Sequence, residues 1–120
     1  MKKLIDEVTQ LVEAEYGRAS IKFGCINNSD HESYAIIKEE ADEARDELNA
    51  VDDLLKYFWN QVKGNSPDPE KLKICQKLQS CALLAACELI QVAATAKKAC
   101  ITIGNRNIIL DLTGSAGGAQ

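Results

Sequence analysis

Apolar residues in the middle of the chain recur at alternating intervals of four and three, the spacing of one face of an α-helix. The first such series comprises Ile37, Ala41, Ala44, Leu48, Val51, Leu55, Phe58 and Val62. The second series comprises Leu78, Ala82, Ala85, Leu89, Val92, Ala96, Ala99 and Ile103. Apolar positions sustained at this spacing predict two long helices, each with a seam that packs on partner helices.

Capping signals place the ends of these helices. Ser29 and Glu32 have the spacing of a capping box, and the run Gly64-Asn65-Ser66-Pro67 stops the pattern, which predicts a helix near Asp30–Lys63. A second helix is predicted near Pro69–Ile103, with Gly104 and Asn105 as its stop.

A shorter amphipathic helix is predicted near Lys2–Tyr16, with Gly17 as its C-cap and an irregular segment over Arg18–Ser29. The fold class expected is therefore all-α: an antiparallel helical bundle built on a two-helix hairpin plus this N-terminal helix. The hairpin has more apolar surface than one helix covers, so we expect a homodimer or homotetramer. Residues 1–103 are expected to form the helical domain and residues 104–120 a C-terminal tail.

Composition narrows the classes of partner. The 120 residues carry a formal net charge of −4 and one histidine, which disfavours a nucleic-acid polymer as ligand. Five cysteines without a CxxC pair are typical of reduced thiols in a cytoplasmic protein. The stretch from Leu78 to Ala96 is largely apolar but carries Glu88, which favours a buried helix over a membrane span.

Carboxylates are the candidate residues of a functional site. Glu40, Glu43 and Glu47 share one stripe of the first long helix, and Glu88 is the only charged residue between Lys77 and Lys97. Acids that face one another across a hairpin repel, and a divalent cation relieves that repulsion. Oxygen ligands without a nearby histidine favour Mg²⁺ or Mn²⁺. Pairing with a basic residue of another helix and simple solvation of the charges are the alternatives.

Two other site types are disfavoured by the histidine count. A di-iron bundle uses Glu-x-x-His pairs, and a hydrolase triad needs a histidine beside a nucleophile. The one histidine, His31, lies at a helix start, where a polar first-turn role is the simpler interpretation.

The segment His31-Glu32-Ser33-Tyr34-Ala35-Ile36-Ile37-Lys38-Glu39-Glu40-Ala41-Asp42-Glu43 resembles a helix of the MazG-like proteins of bacteria and their phages. The segment Glu88-Leu89-Ile90-Gln91-Val92-Ala93-Ala94-Thr95-Ala96 resembles their second motif helix. These proteins belong to the all-α nucleoside triphosphate pyrophosphohydrolase superfamily, whose hallmark is ExxE followed by ExxD on the next long helix. The resemblance covers about residues 1–103.

The resemblance implies a function and its residues. Glu40 and Glu43 match ExxE, and Glu88 matches the first acid of ExxD. It implies that these acids bind Mg²⁺, which holds a nucleoside triphosphate while water cleaves it to a monophosphate and pyrophosphate.

Gln91 stands where the family has its final aspartate. An amide oxygen can ligate a cation but brings no charge, so Gln91 is a candidate metal ligand and not a base. Glu39 and Glu47 are candidates to replace the missing acid, and Lys97 and Lys98 are secondary candidates for substrate contact. A helical oligomer that binds nucleotide or metal without turnover, and a purely structural one, are the alternative hypotheses.

Overall fold

The computed structural model describes residues 1–113, and that part of the chain is built from three α-helices and contains no strand. They are α1 (Lys2–Phe23), α2 (Asp30–Lys63) and α3 (Asp68–Thr113). The prediction of an all-α helical fold is confirmed.

The chain divides into two compact units. The central unit is Glu39–Leu89, which contains most of α2 and the first half of α3. The terminal unit joins Met1–Lys38 to the part of the chain from Ile90 onward. The predicted boundary between a helical domain over 1–103 and a tail over 104–120 stays a prediction.

Helix α1 is longer than predicted, and the assignment of Gly17 as its C-cap is wrong. The helix continues through Gly17 and ends at Gly24, whose φ of 92° lies in the left-handed region that glycine enters without steric cost. The amide of Gly24 donates to the carbonyl of Ser20 at 2.9 Å. Gly17 was misread because a lone glycine inside a helix costs only about 1 kcal/mol relative to alanine.

The start of α2 carries the predicted capping box. The amide of Glu32 donates to Ser29 Oγ at 3.1 Å, and Glu32 Oε1 accepts from the amide of Asn28 at 2.9 Å. Ser29 thus satisfies an amide that the first turn of the helix leaves without a partner, and Glu32 reaches back to the amide of Asn28, just before the helix.

The turn between α2 and α3 is short and closed by backbone hydrogen bonds. The amide of Ser66 donates to the carbonyl of Gln61 at 3.0 Å, and that of Asn65 to Val62 at 3.3 Å. This is the Schellman pattern, and Asn65 adopts the required left-handed conformation with φ 52°. The loop of the hairpin therefore consists only of residues 64–67, between the end of α2 and the start of α3.

Helix α3 passes the predicted stop at Gly104 and Asn105 and ends at Thr113, so the predicted stop is wrong. The segment Ile108–Leu110, in the predicted tail, lies inside this helix. No atom lies within 4 Å of where a Cβ on Gly104 would sit, and Pro is absent downstream, so nothing forces the helix to end there. The tail residues 114–120 lie outside the described part of the chain.

A buried polar contact fixes the connection between α1 and α2 inside the terminal unit. Asn27 is 4% exposed, and its backbone amide donates to Thr102 Oγ1 at 2.9 Å. Its side-chain amide donates to Ser33 Oγ at 2.8 Å. Asn27 thereby ties the loop to α2 and α3 at once.

Replacement of Asn27 by alanine is expected to lower the free energy of unfolding by about 1–3 kcal/mol, since it leaves the buried Ser33 hydroxyl without its donor. Urea denaturation followed by circular dichroism measures the change. Asn28→Ala is the matched control, because the hydrogen bond seen for Asn28 uses its backbone amide. Equal unfolding midpoints for the two variants would contradict a stabilising role of the Asn27 side chain.

In the central unit, α2 packs on α3 through a face that overlaps the predicted seam. Ala44, Ile74 and Ala85 are the buried apolar residues there. Five of the eight predicted seam residues of α2 are buried or partly buried: Ile37, Ala41, Ala44, Val51 and Phe58. The prediction is wrong for Leu48, Leu55 and Val62, which are 46%, 50% and 40% exposed. The partly buried Glu40 and Glu47 widen the packing face on its other side.

Among the described residues, the segment Asp68–Arg106 of α3 has the length and apolar composition of a membrane-spanning helix. The window that satisfies this test has a mean hydropathy of 1.4 and is 11% buried. Helices in the cores of soluble proteins also have such composition, and a single helix of this kind is weak evidence for a membrane span.

Candidate metal centre

Three carboxylates from two helices meet in the central unit. Glu40 and Glu43 lie three residues apart on α2, which puts them on neighbouring turns of one face. Glu88 reaches the same place from the antiparallel α3. One oxygen of each lies within 4.8 Å of the others, and we call this group the carboxylate cluster.

Burial and like charge both act on Glu40. The side chain is half-buried, and loss of solvent raises its pKa above the ordinary value of 4.5. The negative charges of Glu43, Glu88 and Glu39 raise the pKa further. Glu40 therefore binds a proton more readily than an isolated glutamate does.

Glu88 behaves in the same way. Desolvation is the largest cause that raises its pKa, followed by a hydrogen bond and charge repulsion from Glu43. The charge of Glu47 raises it as well, whereas a hydrogen bond with Glu40 acts in the opposite direction. A proton shared among these acids, or a cation in its place, lowers the repulsion within the cluster.

The donor set suits a small, hard dication. Oxygens on opposite sides of an octahedral Mg²⁺ lie about 4.2 Å apart, twice the metal–oxygen distance. The 4.8 Å spread of the carboxylate cluster is close to that limit, so small rotations of the glutamate side chains would complete the geometry. Three carboxylates also leave positions for water or phosphate oxygens, which Mg²⁺ usually retains.

The structure gives Gln91 a partner of its own in the terminal unit. Its side chain forms a hydrogen bond with Glu15 of α1, which together with the stronger contact from Arg18 lowers the pKa of Glu15. The sequence did not indicate this pair, because nothing in the spacing of α1 relates it to α3. The role of Gln91 as a metal ligand stays a prediction.

The secondary candidates fall into two groups. Glu39 and Glu47 lie near the carboxylate cluster, close enough for their charges to act on Glu40 and Glu88 respectively. Lys97 and Lys98 belong to the terminal unit. Lys97 pairs with Glu13 at 2.9 Å and lies 5.4 Å from the ring centre of Tyr16. The carbonyl of Lys98 accepts from Thr102 Oγ1 at 2.8 Å.

A groove between α2 and α3 was missed by the sequence analysis. It has a volume of about 380 Å³, and we call it the α2–α3 groove; it is lined by Leu54, Lys73, Gln76, Lys77, Ser80 and Cys81. The signal that could have found it is the spacing of Lys73, Lys77, Cys81 and Glu88 along one side of α3.

Comparison of the chain with protein-family models, with curated proteins and with solved structures finds no match.

Proposed function

We propose that the protein is a Mg²⁺- or Mn²⁺-dependent pyrophosphohydrolase that converts a nucleoside triphosphate to its monophosphate and pyrophosphate. The observation that carries the proposal is the convergence of Glu40, Glu43 and Glu88, from two helices, within 4.8 Å. The resemblance of the segments around these acids to MazG-like proteins supports the same chemistry.

The surroundings of the carboxylate cluster support cation binding. Partial burial and mutual repulsion make the ionised acids costly in the absence of a cation. A bound Mg²⁺ neutralises phosphate charge and makes water a better nucleophile. In this proposal Glu40, Glu43 and Glu88 hold the cation, and Glu39 or Glu47 accepts the proton of the attacking water. The five free thiols fit a cytoplasmic location, which is part of the proposal.

The direct test is release of pyrophosphate from a panel of standard and modified nucleoside triphosphates with Mg²⁺ or Mn²⁺. We expect metal-dependent release by the wild type and a loss of about 100-fold or more for Glu43→Gln, as for loss of one transition-state contact. Asp53→Gln, an exposed acid on the same helix, is the control. No pyrophosphate from any nucleotide, or release that persists in Glu43→Gln, would contradict the proposal.

A second candidate is nucleotide binding without turnover. The observation that favours it is the hydrogen bond of Gln91 with Glu15, which engages the residue that stands where the family has an aspartate. Calorimetry that shows nucleotide affinity without product would favour this candidate over the enzyme. A gain of pyrophosphate release in Gln91→Asp would show that the missing acid alone separates a nucleotide-binding protein from a nucleotide-hydrolysing enzyme.

The purely structural hypothesis predicts that the acids are ordinary surface charges. Substitution of all three by alanine would then leave the melting temperature unchanged both with and without Mg²⁺. A melting temperature that rises with Mg²⁺ only when the carboxylate cluster is intact would exclude it, because a ligand that binds the folded state stabilises it.

We also propose that the protein functions as a homo-oligomer, because one chain has few large residues to build a core. The buried apolar residues of the described chain are Ala44, Ile74, Ala85, Ala94 and Ala99, and α1 buries none. Nine large apolar side chains of the central unit are between 40% and 62% exposed: Leu48, Leu55, Tyr57, Trp59, Val62, Leu72, Leu83, Leu84 and Leu89. Exposure of so many large apolar side chains is typical of a chain that buries part of them against a partner.

A second copy of the chain is the occupant that fits this surface. Leu48, Leu55 and Val62 follow one another at intervals of seven on α2, the spacing by which helices pack in a left-handed bundle. A copy presents the same stripe, as a twofold interface requires. Trp59 lies beside this stripe at helical spacing and is 58% exposed, so a partner helix packed on Leu48, Leu55 and Val62 would cover it as well.

A further inference from the structure

The α2–α3 groove lies on the same side of the hairpin as the carboxylate cluster. On α3, Cys81 precedes Glu88 by seven residues, or two helical turns, which is about 10 Å along the axis. On α2, Leu54 belongs to the stripe that contains Glu43 and Glu47, because the spacing between them is made of threes and fours. One small molecule can therefore extend from the cluster into the groove.

The lining of the groove suits an uncharged, flat group with polar edges. Leu54, Cys81 and the methylene stems of Lys73 and Lys77 make its walls largely apolar. The amide of Gln76 and the hydroxyl of Ser80 lie among them as hydrogen-bonding groups. A volume of about 380 Å³ with apolar walls and a few polar groups is within the range of small-ligand sites.

The two lysines are available to a ligand. Lys73 and Lys77 are exposed and lie one turn apart, where like charges repel. Among residues 1–113, neither has a carboxylate within ion-pair distance, whereas Lys71 pairs with Asp68 at 3.1 Å. On α3 both lysines precede Cys81 and Glu88, so they lie toward the end of the groove that is remote from the carboxylate cluster.

We propose that the α2–α3 groove receives the nucleoside of the nucleotide whose triphosphate is held at the carboxylate cluster, an inference that rests on the proposed function. Leu54 and Cys81 contact the base, and Gln76, Lys73 and Lys77 donate to acceptor atoms at its edge. Ser80 lines the groove, and a larger side chain at this position would exclude the nucleoside.

Binding of nucleoside triphosphates and of inorganic tripolyphosphate in Mn²⁺ separates the groove from the cluster. The double variant Lys73→Ala, Lys77→Ala is expected to weaken nucleoside triphosphate binding about tenfold or more for each lysine contact, as for hydrogen bonds to charged groups. It should leave tripolyphosphate binding unchanged. Lys56→Ala, an exposed lysine of α2 outside the groove, is the control.

Alkylation of the cysteines gives a readout that does not depend on activity. A saturating nucleoside triphosphate is expected to slow the reaction of Cys81 with iodoacetamide and to leave exposed Cys75, outside the groove, unaffected. Ser80→Phe should abolish this protection, whereas Gln79→Phe should retain it. Peptide mass spectrometry of the wild-type and variant chains measures both sites.

The outcomes distinguish the inference from its premise. If wild-type protein binds nucleoside triphosphate, but Cys81 is not protected and the lysine substitutions have no effect, the assignment of the α2–α3 groove as the nucleoside site is overturned. The proposed function would be unaffected by that result. Equal weakening of tripolyphosphate and nucleotide binding by the lysine substitutions would place phosphate in the groove and overturn the nucleoside assignment. Wild-type protein that binds neither ligand would overturn the proposed function and this inference together.

Discussion

Glu88→Gln is expected to raise the stability of the metal-free protein at neutral pH and to abolish its stabilisation by Mg²⁺. In the wild type, Glu88 is partly desolvated, and the negative charges of Glu43 and Glu47 repel its carboxylate. Glutamine keeps the shape and removes the charge. Wild-type protein with Mg²⁺ at about 100 times its Kd should gain about 2.7 kcal/mol, which is roughly 10 °C in melting temperature for a chain of this size.

The dependence on pH follows from the direction of the pKa shifts. Glu40 and Glu88 have pKa values in the folded state above the ordinary value of 4.5. Their protonation therefore stabilises the fold, fully below the unfolded-state pKa, and this contribution is lost as the pH rises through the raised folded-state pKa. The metal-free wild type should lose stability from about pH 4.5 toward neutrality, and Glu88→Gln should lose less.

Thermal unfolding from pH 4.5 to 7.5, with Mg²⁺ or with EDTA, tests both statements. Mg²⁺ competes with protons for the same oxygens, so its stabilising effect should be large at pH 7.5 and small at pH 4.5. Asp46→Asn, which neutralises an exposed acid of α2, is the control for a general effect of net charge. If Glu88→Gln and Asp46→Asn raise the stability of the metal-free protein equally, the effect arises from net charge and not from the carboxylate cluster.

The double substitution Leu48→Asp, Leu55→Asp is expected to dissociate the proposed homo-oligomer and to destabilise the released chain. Both side chains are about half exposed in one chain, and burial of a leucine contributes about 1.5–3 kcal/mol. Since about half of each side chain is already covered within one chain, loss of both in the interface removes roughly 1.5–3 kcal/mol, a substantial part of the 5–15 kcal/mol that typically separates folded from unfolded protein.

Light scattering coupled to size exclusion measures the mass of the wild type and of the variant in detergent-free buffer. Asn49→Asp adds a negative charge beside Leu48 without removing an apolar group, and it should remain oligomeric. The milder pair Leu48→Ala, Leu55→Ala should raise the dissociation constant without unfolding the chain. A monomeric, fully folded wild type would contradict the oligomer, as would a wild type that stays in solution only with detergent or lipid.

The sequence predicted the parts of the fold that local chemistry determines. The capping box at Ser29 and the stop after Lys63 fix both ends of α2, because side chains and backbone within a few residues satisfy each other there. The stripe of Glu40 and Glu43, with the isolated Glu88, indicated the carboxylate cluster, since helical spacing and a hairpin suffice to bring these residues together.

The sequence-based predictions that are wrong concern features that depend on tertiary packing. Gly17 and Gly104 lie within helices because their cost is small and other residues of α1 and α3 outweigh it. The hydrogen bond between Gln91 and Glu15 joins residues far apart in sequence, which no spacing rule relates. The apolar pattern of α2 could not reveal that Leu48, Leu55 and Val62 are exposed, because they follow the same intervals of four and three as the seam residues that pack on α3.

The acids and the exposed apolar residues of α2 lie on different sides of the helix. Glu40 and Glu47 are partly buried, whereas Leu48, Leu55 and Val62 are exposed. A single helix can then accumulate changes for subunit association on one side while the acids on the other side are kept. Under the proposed function, lineages of such a chain would be free to change how many copies assemble without rebuilding the proposed metal site, and to lose that site without losing the assembly.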